Sequence, residues 1–391
     1  MKRRTLACLL SFILVVSLLS GCANKENTDN ADNASSSSSD VIKIGVFEPI
    51  TGAQAAGGEM TLEGLKLAHE KAGEVLGKKV ELVIVDNKSD KVEAANAVAR
   101  LIEKDKVSAI IGSYGSSNSM AAGDIVKNAK VPAVGCSPTN PLVTLNNDYY
   151  FRVCFIDPFQ GTVMANYAFK ELGAKKIAII QDIQQDASVG ISKYFAEAFV
   201  KLTGDPNSIV ATTSYNTGDQ DFSAQLINVK SLNPDAIFSP GYYGESALLI
   251  KQARDLGINI PILGSDAWEA PEFLSIGGEA IEGSVFSTHF TAESPITEVS
   301  KVFLEEYKAK YNKDANALAA LGYDAYMLII DAITRANSAE PTAIKDALAQ
   351  TKDFVGATGN ITLDENGDAL KSAVINVVKD GKFSYLTTIE P

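Results

Sequence analysis

Four short polar stretches stand just beyond apolar runs: Ser113-Tyr114-Gly115-Ser116-Ser117 after Ala109-Ile110-Ile111, Ser137-Pro138-Thr139-Asn140 after "PAVG", Gly241-Tyr242-Tyr243-Gly244-Glu245 after "AIFSP", and Ser265-Asp266-Ala267-Trp268 after "PILG". The first two carry hydroxyls without charge, and the last two carry aromatics with carboxylates. A glycine and hydroxyl loop leading from a strand into a helix can cradle an anionic group on its N–H groups, hold a nucleophilic serine, or simply turn the chain. A nucleophile needs a base, and neither His69 nor His289 accompanies the Ser116 loop; G-x-S-x-G and the Walker pattern G-x-x-x-x-G-K-[ST] are both absent. Asp86, Asp182 and Asp266 each end a strand-like run, where acids commonly form turns and caps. Two histidines and no C-x-x-C pair leave nothing from which to build a zinc site. No enzyme activity, metal or cofactor is expected.

Hydroxyls and free N–H groups on one wall, with an acid on the other, suit a zwitterion. The donors meet a carboxylate, while acceptors and Asp266 meet an ammonium. Ordinary turn chemistry explains any one of these loops equally well, because Ser, Asn, Gly and Pro dominate turns. Four such loops at one end of two sheets weaken that explanation.

The elements that must position these loops alternate between strand-like and helix-like, the pattern of a parallel sheet wrapped by helices. "IKIGVF", "VELVIVD", "SAIIG", "VPAVG" and "YFRVC" form one series, and "KIAIIQD", "SIVATTSY", "DAIFSPG" and "IPILGSD" a second. After "GSVFSTHF" come three helices, around 297–312, 317–337 and 341–351, and a closing hairpin running from "NITLD" to "AVINVVKDGKFSYLTTI". The fold class expected is α/β: two doubly wound, Rossmann-like lobes joined by a multi-crossover hinge. Lobe one takes 41–156 and 287–372, and lobe two takes 157–286 and 373–391. A cleft between such lobes can open and close.

The chain begins with Lys2-Arg3-Arg4 and an apolar run from Leu6 to Leu19, a secretory signal over 1–21 rather than a spanning helix. It ends in "LLSGC", which resembles the lipobox of bacterial lipoproteins and implies lipidation of Cys22. Residues 22–40 have too few apolar side chains to fold and read as a disordered tether. The formal charge is −13, and −16 once residues 1–21 are removed. That excludes nucleic acid as a natural partner, since phosphates demand basic patches. Cys136 and Cys154 follow neighbouring apolar runs and are open to two readings, a disulfide or two buried thiols.

The sequence resembles the type I periplasmic binding proteins that serve branched-chain amino acid ABC transporters. The markers, spread over the whole mature region, are "IKIGVFEPITG", the loop Gly112 to Ser117, "KQARDLG" from Lys251 to Gly257, and "GYDAY" from Gly322 to Tyr326. The resemblance implies that Ser116 and Thr139 hold the ligand α-carboxylate, that Ser137 offers its backbone carbonyl to the ammonium, that Asp266 is the ammonium-binding acid, and that Tyr242 is an aromatic from lobe two. Tyr114, in the same loop as Ser116, joins this set. Two departures concern pocket shape: Ala56 stands where the family often has an aromatic, and Ala187 lies where a tyrosine is common. Trp268 is a third candidate for shaping the pocket. The implied protein is a monomeric, lipid-anchored, extracytoplasmic carrier that takes an amino acid to a permease. The alternatives are the same fold holding an amide, urea or aromatic acid, and a ligand sensor for a membrane partner, which would normally need a spanning helix after the domain.

Overall fold

A computed structural model describes residues 41–391; the expected signal segment, Cys22 and the tether lie outside the described residues. The first half of the chain builds one sheet. Strand β1 (Val41–Glu48) leads to helix α1 (Ala55–Lys71), a short β2 (Glu74–Val75), β3 (Lys78–Asp86), α2 (Lys91–Glu103), β4 (Ala109–Ile111), α3 (Ser116–Ala129), β5 (Ala133–Gly135) and β6 (Tyr150–Arg152). The strand order is β2-β3-β1-β4-β5-β6, parallel throughout except for β2. The order reverses between β1 and β4, and such switch points leave a crevice beyond the strand ends.

The chain then crosses over through α4 (Asp157–Asn166) and repeats the scheme with β7 (Ile177–Asp182), α5 (Asp186–Thr203), β8 (Ile209–Tyr215), α6 (Ser223–Ser231), β9 (Ala236–Phe238), α7 (Tyr243–Asp255), β10 (Ile262–Gly264), α8 (Pro271–Gly277) and β11 (Val285–Thr288). It returns to pack α9 (Glu298–Tyr311), α10 (Ala317–Ala336) and α11 (Pro341–Leu348) on the first side, and adds β12 (Phe354–Gly356), β13 (Gly359–Leu363) and β14 (Ala369–Leu370). The hairpin β15 (Ala373–Lys379) and β16 (Lys382–Ile389) then completes the second sheet, ordered β16-β15-β11-β10-β9-β7-β8. Its switch point lies between β7 and β9. Two α/β lobes linked by three crossings are the architecture expected from sequence.

One local expectation is corrected. "NITLD" is β13, and it pairs with β12 and β14 in a separate three-stranded sheet rather than with β15. Gly367 turns the chain back early enough for β14 to claim that edge.

Helix α10 is long and apolar enough to cross a membrane, yet it lies buried as a core helix against α1. The two backbones nearly touch. A Cβ on Gly64 would sit 1.7 Å from the Ala319 carbonyl oxygen, and one on Gly322 would sit 2.1 Å from that of Thr61. Cys136 and Cys154 are both buried free thiols, so the thiol reading holds over the disulfide. Burial pushes the Cys154 thiol up to about 12.

Candidate functional site

The loops at both switch points face one cleft. Its lining is Tyr114 and Ser116 beyond β4, Ser137 and Thr139 beyond β5, Ala187, Ser188 and Ile191 at the start of α5, Pro240 and Tyr242 beyond β9, Ser265, Asp266 and Ala267 beyond β10, and Asp157 and Gln160 on α4. All six residues expected to contact ligand thus border one space. Its walls lie close together and enclose a cavity of about 20 Å³, room for about one water and well below the size of a small-molecule site.

The donor wall belongs to the first sheet. Ser116 opens α3, whose first-turn N–H groups have no intrahelical acceptors and carry the positive end of the helix dipole. The Ser116 hydroxyl oxygen accepts the Asn140 N–H at 3.2 Å, which leaves its own proton to donate. The Ser137 hydroxyl donates to the Tyr114 carbonyl at 3.3 Å. Beneath this wall the buried guanidinium of Arg152 fixes the Thr139 loop: it donates to the carbonyls of Pro138 (2.6 Å) and Asn140 (2.9 Å) and pairs with Asp368 at 2.7 Å. Glu48, fully buried, accepts the Tyr114 N–H at 2.7 Å, and burial raises its carboxyl to about 8.

The acid wall belongs to the second sheet and the first crossing. Asp266 is 8% exposed. Its Oδ1 accepts Gln160 Nε2 at 2.6 Å, and its Oδ2 faces His289 Nε2 at 3.1 Å. This contact is made by the His289 tautomer that carries its hydrogen on Nε2. Burial lowers the His289 pKa, and the ring lies 3.8 Å from the Phe155 ring. Asp157 is wholly buried. Burial lifts its carboxyl to about 7, against the hydrogen bond from the Thr139 hydroxyl.

Two expected pocket-shaping residues do not line the cleft. Ala56 sits in the first turn of α1, where its N–H donates to the Tyr243 hydroxyl at 3.3 Å. Trp268 is fully buried behind the Asp266 loop, stacked on Phe273 at 4.7 Å. Large aromatic volume draws it into the core of its own lobe. Ala187 does border the cleft. Sequence reasoning missed Asp157, Gln160 and His289. His289 directly follows β11 and was within reach of the strand-end search. Asp157 and Gln160 are three residues apart on a helix, and a search confined to strand ends passes over them. Among the described residues no group of three or more His, Cys, Asp or Glu side chains is arranged to hold a metal ion.

The two walls also bond directly. The Ser117 hydroxyl donates to Asp186 Oδ2 at 2.9 Å, Lys91 Nζ reaches the same oxygen at 2.8 Å, and Asn140 Nδ2 donates to the Asp186 carbonyl at 2.9 Å. The Tyr243 hydroxyl donates to the Ala53 carbonyl at 2.9 Å, and the rings of Tyr114 and Tyr242 lie 5.5 Å apart.

The family model described as periplasmic binding protein matches residues 41–382. The chain belongs to this family. Members solved by crystallography share its architecture closely. A leucine-binding protein from Thermotoga maritima is 49% identical with a TM-score of 0.87, over 90% of this chain and 99% of that one. The branched-chain amino acid transporter substrate-binding protein of Streptococcus pneumoniae, in complex with isoleucine, is 36% identical with a TM-score of 0.83, over 90% and 100%. The leucine-, isoleucine-, valine-, threonine- and alanine-binding protein of Pseudomonas aeruginosa is 30% identical over 84% of this chain and 87% of its own length.

Proposed function

We propose that this chain is an extracytoplasmic substrate-binding lipoprotein that captures an amino acid, branched-chain or related, between its lobes and delivers it to the permease of an ABC transporter. The lobes are taken as 41–156 with 287–372 and 157–286 with 373–391, hinged at the three crossings, and the anchor as a lipid on Cys22. The observation that carries the reading is the division of one cleft into a donor wall and an acid wall. Ser116, Thr139 and the α3 N-terminus suit a carboxylate, the Ser137 carbonyl and the wall containing Asp266 suit an ammonium, and Tyr114, Tyr242 and Ala187 border the side chain. The amino-acid ligands named for the relatives from Pseudomonas and Streptococcus support the same class.

Closure follows from the same division. A ligand shifts an equilibrium only by its differential affinity for the two states, and only the closed form offers both walls at once. The test is a thermal-shift screen of the purified chain against the common amino acids, simple amides, urea and benzoate. A ligand that binds the folded state raises stability by RT ln(1 + [L]/Kd). Leucine, isoleucine or valine should raise the melting temperature most; a response confined to benzoate or urea would reject the amino-acid reading.

A further inference from the structure

One buried acid close to the cleft stands outside its lining. Glu269 lies three residues past Asp266, on the loop between β10 and α8, and is only 7% exposed. That loop is one tight turn. The Trp268 N–H donates to the Ser265 carbonyl at 3.1 Å, and the Glu269 N–H donates to the Asp266 carbonyl at 3.1 Å. The Trp268 ring, packed on Phe273 and Phe286, anchors the turn to the second lobe. A constraint on Glu269 is therefore also a constraint on Asp266.

Part of that constraint comes from the other lobe. Glu269 Oε1 accepts the N–H of Ala317, the first residue of α10, at 3.0 Å, and its Oε2 accepts the hydroxyl of Thr288 at the end of β11. Helix α10 packs in the core of the first lobe. The first-turn N–H groups of a helix have no intrahelical acceptors. Asn316 Oδ1 takes that of Ala319 at 2.9 Å, from the same chain segment, whereas that of Ala317 is taken by Glu269 across the two lobes. Leu318, the next residue of α10, is buried in the same apolar cluster as Trp268, which shields the bond from water. Burial raises the Glu269 carboxyl to about 7 against these two bonds. Either protonation state suits the site, because the carboxylate accepts from both partners and the acid can give its proton to the Thr288 hydroxyl.

We propose that Glu269 is a positioning residue for solute capture: by capping α10 of the facing lobe from the Asp266 loop, it ties the acid wall to the first lobe and prolongs the residence of the bound solute. This rests on the reading that the lobes close on an amino acid, and it names a tie that touches no ligand. When the lobes part, water can satisfy the Ala317 N–H and the carboxyl. In the closed form only Glu269 can. Loss of the tie therefore falls on the closed state, and on dissociation more than on association.

The experiment uses the chain from residue 22 onward and L-leucine, with calorimetry for Kd and stopped-flow fluorescence of Trp268, the sole tryptophan, for dissociation. Glu269→Ala should weaken leucine by at least ~10-fold, the size of one charge-assisted hydrogen bond, with most of the change in the dissociation rate. Glu269→Gln keeps an acceptor for Ala317 and a donor for Thr288, so it should stay within about 3-fold of wild type. Ala317→Pro deletes the donor from the other side, at a helix position that suits proline and after an extended Asn316 (φ −119°, ψ 174°). It should weaken leucine as Glu269→Ala does, and adding Glu269→Ala to it should change Kd by less than about 3-fold more. Leucine bound by Glu269→Ala within about 3-fold of wild type, failure of Glu269→Gln to restore binding, or full additivity of the two substitutions overturns the tie. Should Glu269→Ala fail to fold, Ala317→Pro decides: wild-type dissociation from that variant overturns the tie. A wild type that binds no amino acid rejects the parent reading, and the tie with it; leucine binding untouched by Glu269→Ala rejects the tie alone.

Discussion

Replacing Asp186 with alanine isolates the bonds that join the two walls. The substitution removes the contact with Lys91, whose side chain is 52% exposed against 39% for Asp186, so screening leaves that pair worth about 0–1 kcal/mol. It also removes a partly buried hydrogen bond from the Ser117 hydroxyl, worth about 1 kcal/mol. The bonds from Asn140 to the Asp186 carbonyl and from the Asp186 N–H to Ser117 belong to the backbone and persist. Closure therefore loses about 1–2 kcal/mol, which raises Kd by about 5- to 30-fold, mostly through faster dissociation. Loss of an acid from the first turn of α5 costs lobe stability only about 0.3–1 kcal/mol, so the ligand-free melting temperature should move little. Calorimetry for Kd, stopped-flow fluorescence for dissociation and a melting curve on the same variant separate these effects. A Kd within about twofold of wild type would show that closure does not draw on this contact.

Three further outcomes follow from particular atoms. Arg152→Met leaves Asp368 buried without its cation and frees the carbonyls of Pro138 and Asn140, so unfolding by urea should show a loss of about 3–5 kcal/mol, and an unchanged midpoint would contradict the structural role. Gly322→Ala forces a Cβ against the Thr61 carbonyl and should cost at least ~1–3 kcal/mol in the same assay, whereas wild-type stability would mean that α1 and α10 are not so closely apposed. Burial raises the carboxyls of Glu48 to about 8 and of Asp157 and Glu269 to about 7, so the folded chain keeps protons that the unfolded chain has lost. That stabilisation is complete below the ordinary carboxyl range and is lost as pH rises through 7 to 8, so the ligand-free melting temperature by calorimetry should fall between pH 5 and pH 8, and a rise over that interval would refute it.

Most of the scaffold was legible because parallel strands buried on both faces read as continuous apolar runs, as in Ala109–Ile111 and Ile262–Gly264. The strand-end rule led from those runs to Ser116, Thr139, Tyr242 and Asp266. Asp86 was correctly read as a turn former: its carboxylate accepts the N–H groups of Ile50, Thr51 and Lys88. The pairing of β13 was not legible, since several strands could follow Gly359 and only tertiary packing selects among them. The inward face of α4 was hidden for a related reason. A helix shows which residues share a face, but which face turns toward a cleft depends on the crossing that delivers it. The partners of Asp266 were likewise invisible, because Gln160 lies 106 residues away in sequence and His289 lies 23 away.

The central claim, that the cleft reads both ends of a zwitterion, is tested most directly by titrating the chain with L-leucine, with 4-methylpentanoate and with isopentylamine, which keep the same side chain and drop one charged group in turn. Each missing group leaves its wall unpaired in a buried site, so each analogue should bind at least ~30-fold more weakly than leucine. If either analogue bound as tightly as the amino acid, the wall opposite its missing group would not be taking part in recognition, and the two-wall account would be wrong.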